Sequence, residues 1–146
     1  MSASEWHADD IVNTVSAESS DLAEKIECDA PFGRHTTYRV GGYATCAVEV
    51  SSVAELLMIG NAATSCGAPL AVLGRGSNTL VSDSGWHGVV VTLGPFSDWI
   101  KAETAGLETG ADLTIEVGGA VAMPVLSRRM ASIGVTGLEW MVGVPG

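Results

Sequence analysis

Six consecutive residues, Leu73-Gly74-Arg75-Gly76-Ser77-Asn78, carry the clearest chemical suggestion in the chain. They follow the apolar run Pro69 to Leu73, so a strand feeds a glycine-rich loop. Two glycines one residue apart let the backbone bring its N–H groups close to an anion. Ser77 and Asn78 add short hydrogen-bonding side chains at the same place. Taken alone, these residues also suit an ordinary turn, because turns between strands use the same types. A Walker loop is excluded, since Gly76 is followed by Ser77-Asn78 and not by lysine. A Rossmann fingerprint is excluded too. Its third glycine should open a helix, whereas Thr79-Leu80-Val81 is β-prone and Ser82-Asp83-Ser84-Gly85 is a turn.

Other reactive side chains are more simply explained. Asp83 sits among turn residues and is read as turn chemistry. Arg128-Arg129 fall late in a helical stretch, where they oppose the macrodipole on a solvated face. Glu139, in Gly137-Leu138-Glu139, is read as holding its loop by hydrogen bonds, and the four tryptophans as packing residues. Cys28, Cys46 and Cys66 have neither CxxC spacing nor histidine companions. They are read as reduced, mostly packed thiols, and no metal site is expected.

The elements that must position the loop begin after an acidic, Ser- and Ala-rich stretch. Residues 1–33 are read as a loosely held, flexible extension with a helical segment. Tyr43 to Val50 reads as a strand. Ser52 and Glu55 have capping-box spacing, so a helix is predicted from Val53 to near Gly67, burying Leu56, Leu57, Ile59, Ala63 and Cys66. With Pro69 to Leu73 this makes a β-α-β unit that places the loop at a strand end, where α/β proteins hold ligands. Val89 to Thr92, Ile100 to Thr104 and Leu113 to Val117 then suggest an antiparallel sheet. Pro124 starts a helix to about Ser132, capped by Gly134.

Composition limits the partners. Of 146 residues, 47% are hydrophobic and only 16% charged, which excludes wholesale disorder. A net charge of -10 would repel nucleic acid, so a bound phosphate must be held mainly by backbone N–H groups, with Arg39 or Arg75 assisting. The N-terminus is acidic with no apolar core behind it, and no apolar run nears the ~20 residues that span a bilayer. A cytoplasmic protein without nucleic-acid or membrane partners is expected.

The order of motifs is more specific than any one of them. His35-Thr36-Thr37-Tyr38-Arg39-Val40-Gly41-Gly42, then Leu73 to Asn78, Val81 to Gly88, Val117-Gly118-Gly119, Gly137-Leu138-Glu139 and Val144-Pro145-Gly146 resemble, in sequence and spacing, the amino-terminal part of the UDP-N-acetylmuramate dehydrogenases, also called UDP-N-acetylenolpyruvoylglucosamine reductases. The resemblance covers about residues 34 to 146. It implies an α+β, FAD-binding fold of the p-cresol methylhydroxylase and vanillyl-alcohol oxidase type: a β-α-β subdomain over 34–88, then a mainly antiparallel subdomain over 89–146 that is incomplete at its C-terminus. It further implies FAD as cofactor, NADPH as hydride donor, and reduction of UDP-N-acetylglucosamine enolpyruvate in peptidoglycan synthesis.

By the same resemblance Gly74, Arg75, Gly76, Ser77 and Asn78 would lie along the FAD pyrophosphate. Gly41-Gly42 and Gly118-Gly119 would be further cofactor-contacting pairs, and Pro145-Gly146 would begin a second flavin loop. The family's serine proton donor, arginine and glutamate belong to a part absent from residues 1–146, so no catalytic residue is assigned and an amino-terminal fragment is expected. His35 stands where many members have Asn. Histidines attach flavin covalently in some wider relatives, but His35 and His87 are read as turn or surface residues. A stand-alone FAD- or nucleotide-binding module and another flavin oxidase of this type, acting on a sugar or alcohol, are the alternatives.

Overall fold

The computed structural model describes residues 6–103 and 108–143. Its first elements are α1 (Ala8–Ser16), α2 (Ser20–Glu24) and β1 (Glu27–Ala30). Asp10 starts α1 by accepting the His7 N–H at 2.7 Å, and Ser19 caps α2 by accepting the Leu22 N–H at 3.3 Å. Ile11 and Val15, four residues apart, share one helical face and are buried with Trp6, Leu22 and Ile26. Residues 6–30 are therefore part of the core, which corrects the expectation of a loosely held extension. Few large apolar residues occur there, but their spacing puts each of these on the inward face.

β2 (Ala44–Val50) and α3 (Val53–Cys66) fall within a residue of their predicted bounds. Ser52 Oγ accepts the Glu55 N–H at 3.1 Å, while the Glu55 carboxylate accepts from Ser51 at 2.7 Å. The cap thus forms with its return bond shifted by one residue. Ile59, Ala62 and Ala63 make the buried face of α3, whereas Leu57 is 60% exposed and does not belong to it.

β3 (Leu70–Leu73) and β4 (Trp86–Leu93) complete a four-stranded sheet of order β1-β2-β4-β3. β1 runs antiparallel to β2, and β2, β4 and β3 are mutually parallel along their pairings. The β2-α3-β3 crossover therefore leaves room for β4 between its strands. This corrects the assignment of Val89 to Thr92 to the antiparallel sheet, and the expected boundary between 88 and 89 runs through β4. Val89, Val90 and Val91 are all buried, the continuous apolar run of a strand covered on both faces.

Cys46, Val48, Val50, Val89 and Val91 pack beneath α1 and α3. The other face carries a smaller cluster of Phe32, Ala44, Leu73, Val81 and Val90, with Phe32 and Trp86 ring centroids 6.1 Å apart.

Past β4 lie β5 (Ile100–Ala102), paired antiparallel with β6 (Ile115–Val117), and α4 (Met123–Ser132). The antiparallel part is thus a two-stranded pair among the described residues; the end of the expected Ile100 to Thr104 strand lies outside them. Pro124 occupies the first turn of α4. At the other end, Gly134 N–H donates to Ala131 O and Val135 N–H to Met130 O, both near 3 Å, closing the helix as a Schellman motif. The architecture is α+β.

Candidate functional site

The glycine loop leaves β3 directly, as the strand pattern requires. Its Arg75, Gly76, Ser77 and Asn78 N–H groups donate to no protein acceptor among the described residues. Gly76 has φ +65°, and a Cβ there would fall onto the carbonyl oxygen of His35. The Gly76 carbonyl in turn accepts the Thr37 N–H at 3.0 Å. Gly76 is glycine because the loop must lie flat against the turn of residues 32–36. At Gly74 an added Cβ would meet nothing within 4 Å, so the loop's opening is free. One glycine docks the loop and the other leaves its approach clear.

Gly41 and Gly42 are part of the same construction. Gly41 has φ +106°, and its Cβ position is occupied by the Val81 carbonyl. A Cβ on Gly42 would lie 2.6 Å from the Asp83 carbonyl oxygen, and the Gly42 N–H donates to Ser82 O at 2.8 Å. Backbone therefore lies on backbone from residue 33 through 42, 76 and 81–85. Thr36, buried, secures the turn by donating its hydroxyl to Gly33 O at 2.9 Å. Sequence reasoning missed the supporting role of Phe32 to Thr36 and of Gly85. The spacing of Gly33 and Thr36, three residues apart just before Gly41-Gly42, was the available signal.

Gly118 and Gly119 are not part of this construction: they pack against Ser97 and Leu93. Pro145 and Gly146 lie outside the described residues.

Two clefts flank the loop. One of about 440 Å³ is lined by Gly74, His35, Lys25, Glu27, Glu49 and the β4 residues Val90 and Thr92. The other, about 320 Å³, is mainly apolar and lined by Phe32, Leu73, Leu80, Val81 and Trp86. The first cleft touches the loop at Gly74 and the second at Leu73 and Thr79, while Arg75 to Asn78 line neither, so an anion-binding reading rests on their unengaged N–H groups. Arg34, Arg39 and Arg75 are exposed on the segments that form this construction, so positive charge is available at its surface although the chain is acidic overall. A third cleft of about 730 Å³, between residues 108–115 and 133–138, involves none of these groups.

The remaining candidates have structural roles. His87 stacks on Trp6 with ring centroids 4.6 Å apart, and its Nδ1 lies 2.9 Å from Thr45 Oγ1. The 82–85 turn is held by Ser82, whose hydroxyl accepts the Ser84 N–H at 3.3 Å, and by the Gly85 N–H donating to Ser82 O at 2.9 Å. Arg128 and Arg129 are exposed on α4. The Glu139 carboxylate accepts the Gly137 N–H at 2.8 Å, a loop-holding bond. Trp6 is a packing residue, but Trp140 is 62% exposed and is not. Among the cysteines Cys46 is buried, Cys66 half-buried and Cys28 exposed.

No sequence-family model matches the chain. It is 37% identical over 118 residues to the UDP-N-acetylenolpyruvoylglucosamine reductase of Rubrobacter xylanophilus, covering 81% of this chain and 37% of that protein. The Bacillus subtilis reductase is 35% identical over 122 residues, covering 84% of this chain and 38% of its own length. Among solved structures, the UDP-N-acetylenolpyruvylglucosamine reductase of Thermus caldophilus superposes with a TM-score of 0.56 at 28% identity, over 82% of this chain and 37% of that one. The chain spans little more than a third of the length of these relatives.

Proposed function

We infer, for a chain that resembles the UDP-N-acetylenolpyruvoylglucosamine reductases over about four fifths of its own length, that it supplies an FAD-holding share of such a reductase. The observation that carries this reading is the run of unengaged N–H groups from Arg75 to Asn78, directly after a parallel strand. Successive N–H groups around a left-handed glycine form an anion-binding concavity, the chemistry that a pyrophosphate needs from an acidic protein. Arg75 adds one always-charged donor to the same loop. Gly41 and Gly42 hold the loop's support, Gly118 and Gly119 are expected to approach the cofactor from the second region, and Pro145-Gly146 are expected to open a further flavin loop.

Bound FAD would supply hydride transfer from NADPH to the enolpyruvyl double bond of UDP-N-acetylglucosamine enolpyruvate. The present residues would bind and orient it. By the resemblance the proton donor belongs to a part of such reductases that this chain does not cover, so the 146 residues alone are expected to lack NADPH-dependent reductase activity; a steady-state assay with that substrate checks this.

The binding reading is tested by titrating the chain with FAD, ADP and riboflavin. A pyrophosphate site takes FAD and ADP and discriminates against riboflavin by at least tenfold. Equal affinity for riboflavin and FAD would remove the loop from the cofactor site.

A further inference from the structure

β1 and β2 bring two cysteines together across the sheet. Cys28 and Cys46 are directly opposed in the antiparallel register. Opposed residues project their side chains to the same face, with Cα atoms about 4.5 or 5.5 Å apart according to the kind of pair. A disulfide needs about 4.4–6.8 Å between Cα atoms, so either spacing admits the bond without moving the backbone. We propose that Cys28 and Cys46 are a thiol pair that closes to a disulfide under a hydroperoxide oxidant, clasping the N-terminal layer and the loop between them to the sheet.

The two sulfurs differ in a way that assigns their roles. Cys28 is exposed on the edge strand, where an oxidant can reach it. Cys46 is fully buried under α1. Burial, the neighbouring Cys28 charge and a hydrogen bond with the Cys28 thiol push the Cys46 thiol up to about 12, so it is a poor first nucleophile. Cys28 therefore reacts first: its sulfur attacks the peroxide oxygen, giving a sulfenic acid and an alcohol or water. The Cys46 sulfur then attacks the Cys28 sulfur, its proton leaving with the hydroxyl as water. Two thiols lose two electrons in total, and one hydroperoxide gains them. Cys66 is the internal control, since its sulfur lies 3.6 Å from the Thr14 hydroxyl and the Cys28–Cys46 register does not include it.

The bond would have a consequence for the site. The segment it closes, residues 29–45, contains the turn at Phe32 to Thr36 and Gly41-Gly42, which support the glycine loop. Closing it removes freedom from the unfolded chain and holds the N-terminal helices against the sheet.

The test is a thiol map of the 146-residue chain after treatment with equimolar tert-butyl hydroperoxide. The expected product is one linked peptide pair containing Cys28 and Cys46, reversed by dithiothreitol, with Cys66 still alkylatable. The thermal midpoint should rise by roughly 5–10 °C on oxidation. Cys66→Ser should give the same link. Recovery of Cys28 as sulfinic acid beside a free Cys46 thiol would overturn the proposal, as would Cys28 linked only between chains. So would formation of the pair at an equal rate in chain unfolded with guanidinium.

Discussion

Residues 6–93 and residues 95–143 are built to different standards. The first region has α-helices on one face of a four-stranded sheet and a second apolar cluster on the other. In the second, only Leu126 and Met130 are buried apolar residues among those described, while Val125, Ile133, Trp140 and Val142 stay largely exposed. Hydrophobic burial is the main favourable term in folding, so stability must be concentrated in the first region. The glycine loop and its supports all fall there. A strained backbone needs surroundings that over-determine it, and the first region supplies them.

The contrast is sharpest at the N-terminus. Deleting residues 1–26 removes Trp6, Ile11, Val15, Leu22 and Ile26 from the main core and should abolish cooperative unfolding in urea. The single change Ile11→Ala should cost roughly 2–5 kcal/mol, the range for a fully buried aliphatic side chain. The matching change in the second region, Val125→Ala, should stay within about 0.5 kcal/mol. Equal costs would show that the two regions are one cooperative core after all. Hydrogen exchange gives the same comparison without mutation: amides of β2 and β4 should exchange far more slowly than those of β5 and β6.

Within the first region the two loop glycines separate folding from ligand binding. Gly76→Ala introduces a Cβ at φ +65° against the His35 carbonyl, and should cost about 1–3 kcal/mol while also weakening FAD. Gly74→Ala meets open space and should leave the urea midpoint nearly unchanged. Any loss of FAD affinity in Gly74→Ala, measured by flavin fluorescence, then reports ligand contact alone. A Gly74→Ala chain that loses stability as much as Gly76→Ala would show that the loop is a structural turn throughout.

Local signals were legible where a single element decides them. Ser52 and Glu55 marked the start of α3, Pro124 and Gly134 marked the limits of α4, and the strand before the glycine loop was read within a residue. What could not be read is set by long-range pairing. The Val89–Val91 run is compatible with either strand direction, because alternation and apolarity carry no sign for parallel or antiparallel neighbours. Its place between β2 and β3 depends on a crossover that skips a position. The burial of Trp6 and Ile11 was hidden for a related reason: their own segment is acidic, and only docking against α3 makes it core. At the site, the glycines were legible as glycines, but not that Gly41, Gly42 and Gly76 are required by backbone-on-backbone contact. That contact joins residues some forty positions apart.

The smallest expected effect tests how the N-terminal layer is tied to α3. Lys25 Nζ lies 2.8 Å from Glu55 Oε1 and bridges α2 to the start of α3. Its hydrogen bond, with the Ser51 N–H, holds the Glu55 carboxyl below the usual glutamate range despite slight opposing desolvation. A carboxyl lowered in the folded state binds its proton more weakly there than when unfolded. It therefore contributes stability above its unfolded value, and that contribution disappears as pH falls through the folded one. Both partners keep substantial solvent contact, with side chains 41% and 21% exposed, so the gain is at most about 1 kcal/mol. Glu55→Gln should lower the urea-derived stability by that amount at neutral pH. The two chains should converge below the folded-state value, at acid pH. A difference that persists undiminished into acid would mean the carboxylate charge is not what joins the two layers, and that the side chain acts there by packing alone.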